Sequence, residues 1–279
     1  MPVLKSDNDV TTAPFGAFAP NTAQAAVIRL VHRSGLKRGV FRPWISRLIN
    51  LIRPGPVDAH YHGASFRFYH LGASTERGCL FNPGYDLEEL TFLRAHVPEG
   101  GVFVDVGANV GIYALTMAKV VGKTGTVIAI EPHPVARARL TFNRDASDVG
   151  YVKLVAVAAG PSDGELLIET DRENLGASHI VTGEASTSAI RVPAQTLQRI
   201  LDDAGITRVD ALKIDVEGFE DRVLTCFFAL APQTLWPRAV VIEHLSRNEW
   251  QQDCIGDMIA RGYSVQGRTR SNMLLLRET

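Results

Sequence analysis

After Gly101 the chain settles into an alternation that few folds accommodate: short, almost uninterrupted apolar runs such as VFVDV and AVVIE, separated by stretches with helical apolar spacing. Strands are expected at residues 102–106, 126–131, 152–157, 209–216 and 239–243, and helices at 112–121, 135–146, 197–204, 220–230 and 248–261. Runs that are apolar at consecutive positions must be covered on both faces, and the intervening helices make parallel, right-handed crossovers. The expected architecture is therefore α/β, a doubly wound and mostly parallel sheet with its site at the strands' carboxyl ends. YSVQGRTRSNMLLL closes the pattern as a hairpin added antiparallel to the sheet edge.

At 279 residues the chain divides into four stretches. Residues 1–20 mix Thr, Ala, Pro and Asp without periodicity and read as a flexible tail. Residues 21–60 form a basic helical arm, in which Asn21 caps TAQAAVIRLVHRSG and FRPWISRLINLIRPGP follows. Residues 61–98 are a lead-in, with strands expected in ASFRFYHLG and GCLFNPGY and a helix in DLEELTFLRAHV. Residues 99–279 hold the main domain, where GELLIET adds a short strand and the polar loop 171–189 is expected over the site.

Between Asp9 and Asp58 there is no carboxylate, while Arg29, Arg33, Lys37, Arg38, Arg42, Arg47 and Arg53 fall inside. Such a stretch either meets an anionic substrate or membrane face, or is a solvated helical arm packed on its own domain or on a partner subunit in a homo-oligomer. The packed arm is the expectation. Elsewhere charge is ordinary: a net charge of -1 gives no general attraction to polyanions, so a nucleic-acid reading would need a local patch. Cys79, Cys226 and Cys254 are odd in number and lack metal-ligand spacing, which fits a reducing cytoplasm better than a disulfide framework. No apolar run is long enough to span a bilayer, and early acids and prolines make the first residues a poor secretory signal.

The glycines of VFVDVGANVGIYAL join a strand to a helix. A dinucleotide fingerprint needs a middle glycine for the pyrophosphate to approach, and here Gly107 is followed by Ala108, Asn109, Val110 and Gly111. No Gly-Lys-Ser/Thr follows either, so a phosphate loop is excluded. Asp105 at the loop mouth repels phosphate and attracts a cation. Glu131 ends the next strand, where a carboxylate can accept hydrogen bonds from ribose hydroxyls, in a nicotinamide site as well as in others. Together these residues favour S-adenosylmethionine, which carries a sulfonium and an ammonium but no phosphate.

KIDVEGFE places Lys213, Asp215 and Glu217 on one face of the fourth strand, with the two acids reaching its carboxyl end. Asp215 would neighbour donor and acceptor, and Glu217 would orient the acceptor or take its proton; alternatively the three form an internal ion pair that fixes the turn. His244, after Glu243 at the end of the fifth strand, is a second candidate base. His133 reads as a turn residue. Asp215 and Glu217 are hard oxygen ligands, but two acids beside a lysine do not make a metal site, and no metal is expected.

VDVGANVGIYAL, VIAIEPHP, LKIDVEGFE and VVIEH, in that order, resemble the FkbM-type methyltransferases, a branch of the class I S-adenosylmethionine-dependent enzymes. The resemblance runs from about residue 100 to 276. It implies a Rossmann-like class I methyltransferase sheet of seven strands, with the N-terminal helical arm outside it, and methylation of hydroxyls on sugars, polyketides and related natural products. By position Asp105, Gly107, Asn109 and Gly111 would line the methionine end, Glu131 would bind ribose and Asp163 would run past the adenine. The chain departs from the family in TLQRIL, where Gln198 stands in place of a usual acid.

The expected function is S-adenosylmethionine-dependent O-methylation of a small molecule, sugar or natural product. A nicotinamide-dependent oxidoreductase shares the fold class but needs the middle glycine that this loop lacks. An RNA ribose methyltransferase is opposed by near-neutral charge and absent aromatic-basic interleaving, and a binding module without chemistry would hold the donor without turnover.

Overall fold

The computed structural model describes residues 12–169, 179–180 and 189–278. Helices α1 (Thr22–His32) and α2 (Arg42–Ile52) lead into a hairpin of β1 (Val57–Tyr61) and β2 (Ala64–Phe68), then α3 (Ser74–Phe81) and α4 (Leu87–His96). The alternating region follows with β3 (Val102–Val106), α5 (Ile112–Val121), β4 (Thr126–Ile130), α6 (Pro134–Ala146) and β5 (Lys153–Val155). A small sheet is built from β6 (Ala158–Gly160), β7 (Gly164–Glu169), β8 (His179–Ile180) and β9 (Ile190–Thr196). The chain returns through α7 (Leu197–Asp203), β10 (Ala211–Ile214), α8 (Glu220–Leu230) and β11 (Ala239–Glu243), and ends with α9 (Cys254–Ala260), β12 (Tyr263–Arg268) and β13 (Asn272–Arg277).

The main sheet has seven strands in the order β12-β13-β11-β10-β3-β4-β5. Neighbours from β11 to β5 pair in parallel, and β13 runs antiparallel to both β11 and β12. Chain order departs from β3 in both directions, so the β3–β10 seam is the switch point where a crevice opens beyond the strand ends. This is the doubly wound, Rossmann-like class I architecture.

Alternation along each strand splits the core into two. Phe103, Val127, Ala129 and Val241 face one layer with α1 to α5, while Val104, Val106, Ile128 and Ile242 face α7, α8 and α9. Ile28, Val31, Ile45 and Ile49 of the basic arm belong to the first of these layers, so the arm's inner side is part of the domain's core.

Several expectations are corrected. GCLFNPGY was expected as a strand but holds the end of α3, because a short apolar run does not separate a strand from a helix buried nearly all round. VDAHY is a strand, β1, that the pattern did not announce. The last helix begins at Cys254 rather than 248, because Asp221 accepts hydrogen bonds from the N–H groups of Gln251 and Gln252 and Asp253 caps Gly256. Residues 13–18 are no loose tail. Arg67, ion-paired with Asp58 at 2.7 Å inside the protein, donates to the carbonyls of Ala13 and Pro14, and Asp58 accepts from the N–H groups of Gly16 and Phe18. Most of the polar loop 171–189 lies outside the described residues. All three cysteines are free thiols, and no described helix is long and apolar enough to cross a membrane.

Candidate active site at the strand switch point

The loop after β3 makes an unusually close pass. Gly107 has φ 78°, and a Cβ on it would lie 1.9 Å from the carbonyl oxygen of Asp215 beyond β10, so only glycine fits. The N–H groups of Gly107 and Ala108 both donate to the Ile130 carbonyl at 3.0 Å, which ties the loop to β4. Asn109 takes the left-handed conformation, φ 48°, and its N–H donates to Glu131 Oε2 at 2.8 Å. Gly111, also left-handed, packs instead of lining the cleft: its missing Cβ makes room for Leu140 and Leu115.

Asp105 is buried, and its Oδ2 accepts the N–H of Ala114 at 2.8 Å in the first turn of α5. That carboxylate occupies the helix N-terminus on which a pyrophosphate would otherwise rest. Burial pushes the Asp105 carboxyl up to about 7 despite the opposing charge of Lys213. Glu131 accepts from the N–H groups of Asn109 and His133, each at 2.8 Å, and burial raises it likewise to about 7. His133 caps α6 through Nδ1, which accepts from Val135 and Ala136, so it is the turn residue expected.

Across the seam, Lys213 sits beside Asp105 in the parallel register. It is ion-paired with Asp215 at 3.1 Å, and its ammonium lies 5.1 Å from the centre of the Tyr113 ring. Burial opposes the Lys213 charge, but Asp215, Asp105 and Asp86 outweigh it and raise its pKa. β10 ends at Ile214, so Asp215 and Glu217 stand on the loop beyond it, Glu217 with a left-handed φ of 52°. Burial first, then the charges of Asp215 and Glu243, push the Glu217 carboxyl up to about 8. The turn itself is closed by Glu220, which accepts from the N–H groups of Val216 and Gly218 and from Trp250 Nε1.

Asp105, Gly107, Asn109, Glu131, Asp215 and Glu217 line one cavity of about 260 Å³. Asp163 does not: it lies in the exposed turn between β6 and β7, where Oδ1 accepts from the Thr196 N–H, and Ala158, Ala159 and Ile168 form the cleft wall there. His244 is also off the cleft. Side chains alternate along β11, so Glu243 lines the cavity while the neighbouring His244 joins Ser271 through its backbone N–H. Glu243 accepts from the N–H groups of Leu245 and Ser246.

Asp86, Tyr113 and Asn272 are among the lining residues that escaped sequence reasoning. Asp86 precedes α4 with a left-handed φ of 49° and makes no side-chain cap to that helix; Tyr113 donates to its Oδ2 at 3.0 Å instead. Burial and the Glu89 charge raise Asp86 to about 6. Asn272, opposite Glu243 in the β11–β13 register, donates to Glu89 through Nδ2 and keeps a buried Oδ1 without a hydrogen-bond partner. No sequence signal marks these residues, because their elements meet the cleft only after the sheet is assembled. Asp215, Glu220 and Glu243 bring carboxylate oxygens within 4.8 Å of one another, but each already has an ionic or N–H partner.

Residues 105–262 match the family model described as the methyltransferase FkbM domain. The chain is 28% identical over 161 residues to "Methyltransferase sdnD" of Sordaria araneosa; the match covers 47% of this chain and spans 61% of that relative's length. Among solved structures, a precorrin-6y C5,15-methyltransferase from Geobacter metallireducens has a TM-score of 0.44 at 13% identity, covering 70% of this chain and 89% of its own. An O-methyltransferase from Bacillus cereus has 0.43 at 11%, covering 68% and 81%. An rRNA methylase from Streptococcus thermophilus has 0.42 at 9%, covering 69% and 95%. At such scores these likenesses carry no weight for the site.

Proposed function

The chain belongs to the FkbM methyltransferase family, and on that premise we propose that it methylates a hydroxyl of an uncharged or cationic small molecule, sugar or natural product. It is an S-adenosylmethionine-dependent methyltransferase. When bound, S-adenosylmethionine supplies a methyl group on a positively charged sulfur, already activated for in-line displacement.

The residues at the seam fit that donor. Gly107, with no room for a side chain, lets backbone line the cleft closely, and Asp105 fills the helix N-terminus that a dinucleotide phosphate would need. Glu131, held by two N–H donors, keeps carboxylate lone pairs for the ribose hydroxyls. Asp105, Asn109 and Gly107 take the methionine end, while Gly111 supports the loop from behind and Asp163 has no part in the cleft.

One observation carries the choice of a hydroxyl acceptor. Glu217 is a carboxyl raised to about 8 at the cleft wall, so its ionised form, populated as pH rises through that value, is a stronger base toward a hydroxyl than an ordinary carboxylate. Asp215, ion-paired with Lys213 at 3.1 Å, orients the acceptor beside it. The wall carries the carboxyls of Asp86, Asp105, Glu131, Asp215, Glu217 and Glu243 against Lys213, and as those raised toward neutrality ionise with rising pH, a phosphorylated or polyanionic acceptor, RNA included, meets growing repulsion.

The test is methyl transfer from isotope-labelled donor to matched panels of neutral polyols, amino sugars and phosphorylated analogues. O-methylation of the neutral or cationic members supports the reading, and turnover confined to phosphorylated or RNA acceptors overturns it.

A further inference from the structure

Helix α2 is apolar on two sides. Ile45 and Ile49 are buried in the core, while Trp44, Leu48 and Leu51, spaced i, i+4 and i+7, form a second stripe that faces solvent. Trp44 is 69% exposed and Leu51 81%, and Val40, just before the helix, is 74% exposed beside a half-exposed Phe41. Soluble surfaces seldom carry so concentrated a patch without a use for it. Its charged neighbours have one sign. Lys37, Arg38 and Arg47 are exposed around the stripe, the Arg47 guanidinium lies 5.2 Å from the Trp44 ring centre, and residues 12–57 contain no carboxylate.

We propose that this face of the N-terminal arm docks on an anionic lipid bilayer, with Trp44, Leu48 and Leu51 entering the interface and Lys37, Arg38 and Arg47 meeting acidic headgroups. A helix with an apolar stripe bordered by cations, lying in the plane of the interface, matches both halves of that environment. The indole under a guanidinium suits the headgroup level, where amphipathic rings collect.

Other occupants match one half only. In a two-fold dimer built on this face, the stripe would meet itself and set cation against cation with no acid of the arm to neutralise them. Nucleic acid would satisfy the arginines but leave Val40, Leu48 and Leu51 against a charged backbone. The arm also touches the cleft: the Arg42 guanidinium stacks 5.3 Å from the centre of Tyr85, which lines the cavity. Docking would therefore place the membrane surface near the cleft wall, and it does not depend on the hydroxyl assignment.

The experiment is cosedimentation of the full chain with vesicles of phosphatidylcholine and phosphatidylglycerol, against vesicles of phosphatidylcholine alone, with tryptophan emission as a second readout. The expected result is partition into the anionic vesicles, weakened by salt, with a blue shift that Trp44→Phe removes. Leu48→Glu with Leu51→Glu, and separately Arg38→Glu with Arg47→Glu, should each lower the partition coefficient at least tenfold. All four side chains are exposed, so the thermal midpoint should stay unchanged. Partition unaffected by these variants, or none into anionic vesicles, overturns the proposal. So does a dimer in sedimentation equilibrium that Leu48→Glu with Leu51→Glu disperses, which would assign the face to a second copy, or retention on RNA without vesicle binding.

Discussion

The backbone of Gly107 passes so near Asp215 that a Cβ on the glycine would sit 1.9 Å from the Asp215 carbonyl oxygen. Two loops from strands that are neighbours in space, but about a hundred residues apart in sequence, are in this way fastened at the mouth of the cleft. Gly107→Ala must move one of them and must also hold a left-handed φ. It is expected to cost about 2–4 kcal/mol of stability, read from urea unfolding. Donor affinity by calorimetry should fall with it, and an unaltered affinity would show that the pass does not shape the donor pocket.

Glu131→Ala leaves the N–H groups of Asn109 and His133 without their shared acceptor and removes the partner proposed for ribose. A drop in S-adenosylmethionine affinity of about tenfold or more is expected, since a hydrogen bond to a charged group contributes roughly 1.5–3 kcal/mol. An unchanged Kd would remove the assignment.

Asp105 and Glu131 both hold their protons more tightly folded than unfolded, with ordinary values of 3.8 and 4.5 raised to about 7 by burial. Their contribution to stability is complete below those ordinary values and is lost as pH rises through about 7. Differential scanning calorimetry of the ligand-free protein should therefore show these two groups lowering Tm over that window, a slope that Glu131→Gln flattens. The cationic donor favours the charged carboxylates, so the Tm increment it confers should grow across the same window. An increment independent of pH would mean that these carboxyls do not face the donor.

Glu217→Gln keeps the size of the side chain and abolishes the base. A fall in kcat of about 10²- to 10⁴-fold with donor affinity intact is expected, the usual range for a positioned general base. In the wild type, kcat/KM should rise with pH through about 8, where the Glu217 carboxyl is half ionised, and level off only above that. If the glutamine variant keeps the same pH profile, the base lies elsewhere.

Asp58→Ala would strand the buried Arg67 charge, which now pairs with Asp58 through two of its nitrogens. Removing one partner of such a pair typically costs about 3–5 kcal/mol, measurable by chemical denaturation. Because Asp58 also accepts from Gly16 and Phe18, proteolysis within residues 13–18 should accelerate before global unfolding.

How much of this was legible beforehand follows from how far each interaction reaches along the chain. Apolar runs and helical spacing are local, so β3, α5, α8 and β11 stand where the pattern put them to the residue, as does the terminal hairpin in outline. Asp105, Gly107, Asn109 and Glu131 were legible because one strand-loop-helix unit and the strand after it form most of that half of the cleft. GCLFNPGY misled because three consecutive apolar residues suit a buried helix as well as a strand.

By itself the sequence determined the sheet, its switch point and a glycine loop hostile to phosphate, since each follows from side-chain period or from the size and charge of residues adjacent in the chain. Only the tertiary structure decided which strand-end groups share the cleft. It brought in Asp86, Tyr113 and Asn272 from separate elements and left His244 and Asp163 outside, because β11 ends with Glu243 on the cavity side and the β6–β7 turn pairs with β9 instead. It also raised Glu217 to about 8, through burial and the nearness of Asp215 and Glu243, the latter on another strand. A carboxyl's basicity is set by its surroundings in space, and those exist only once the chain has folded.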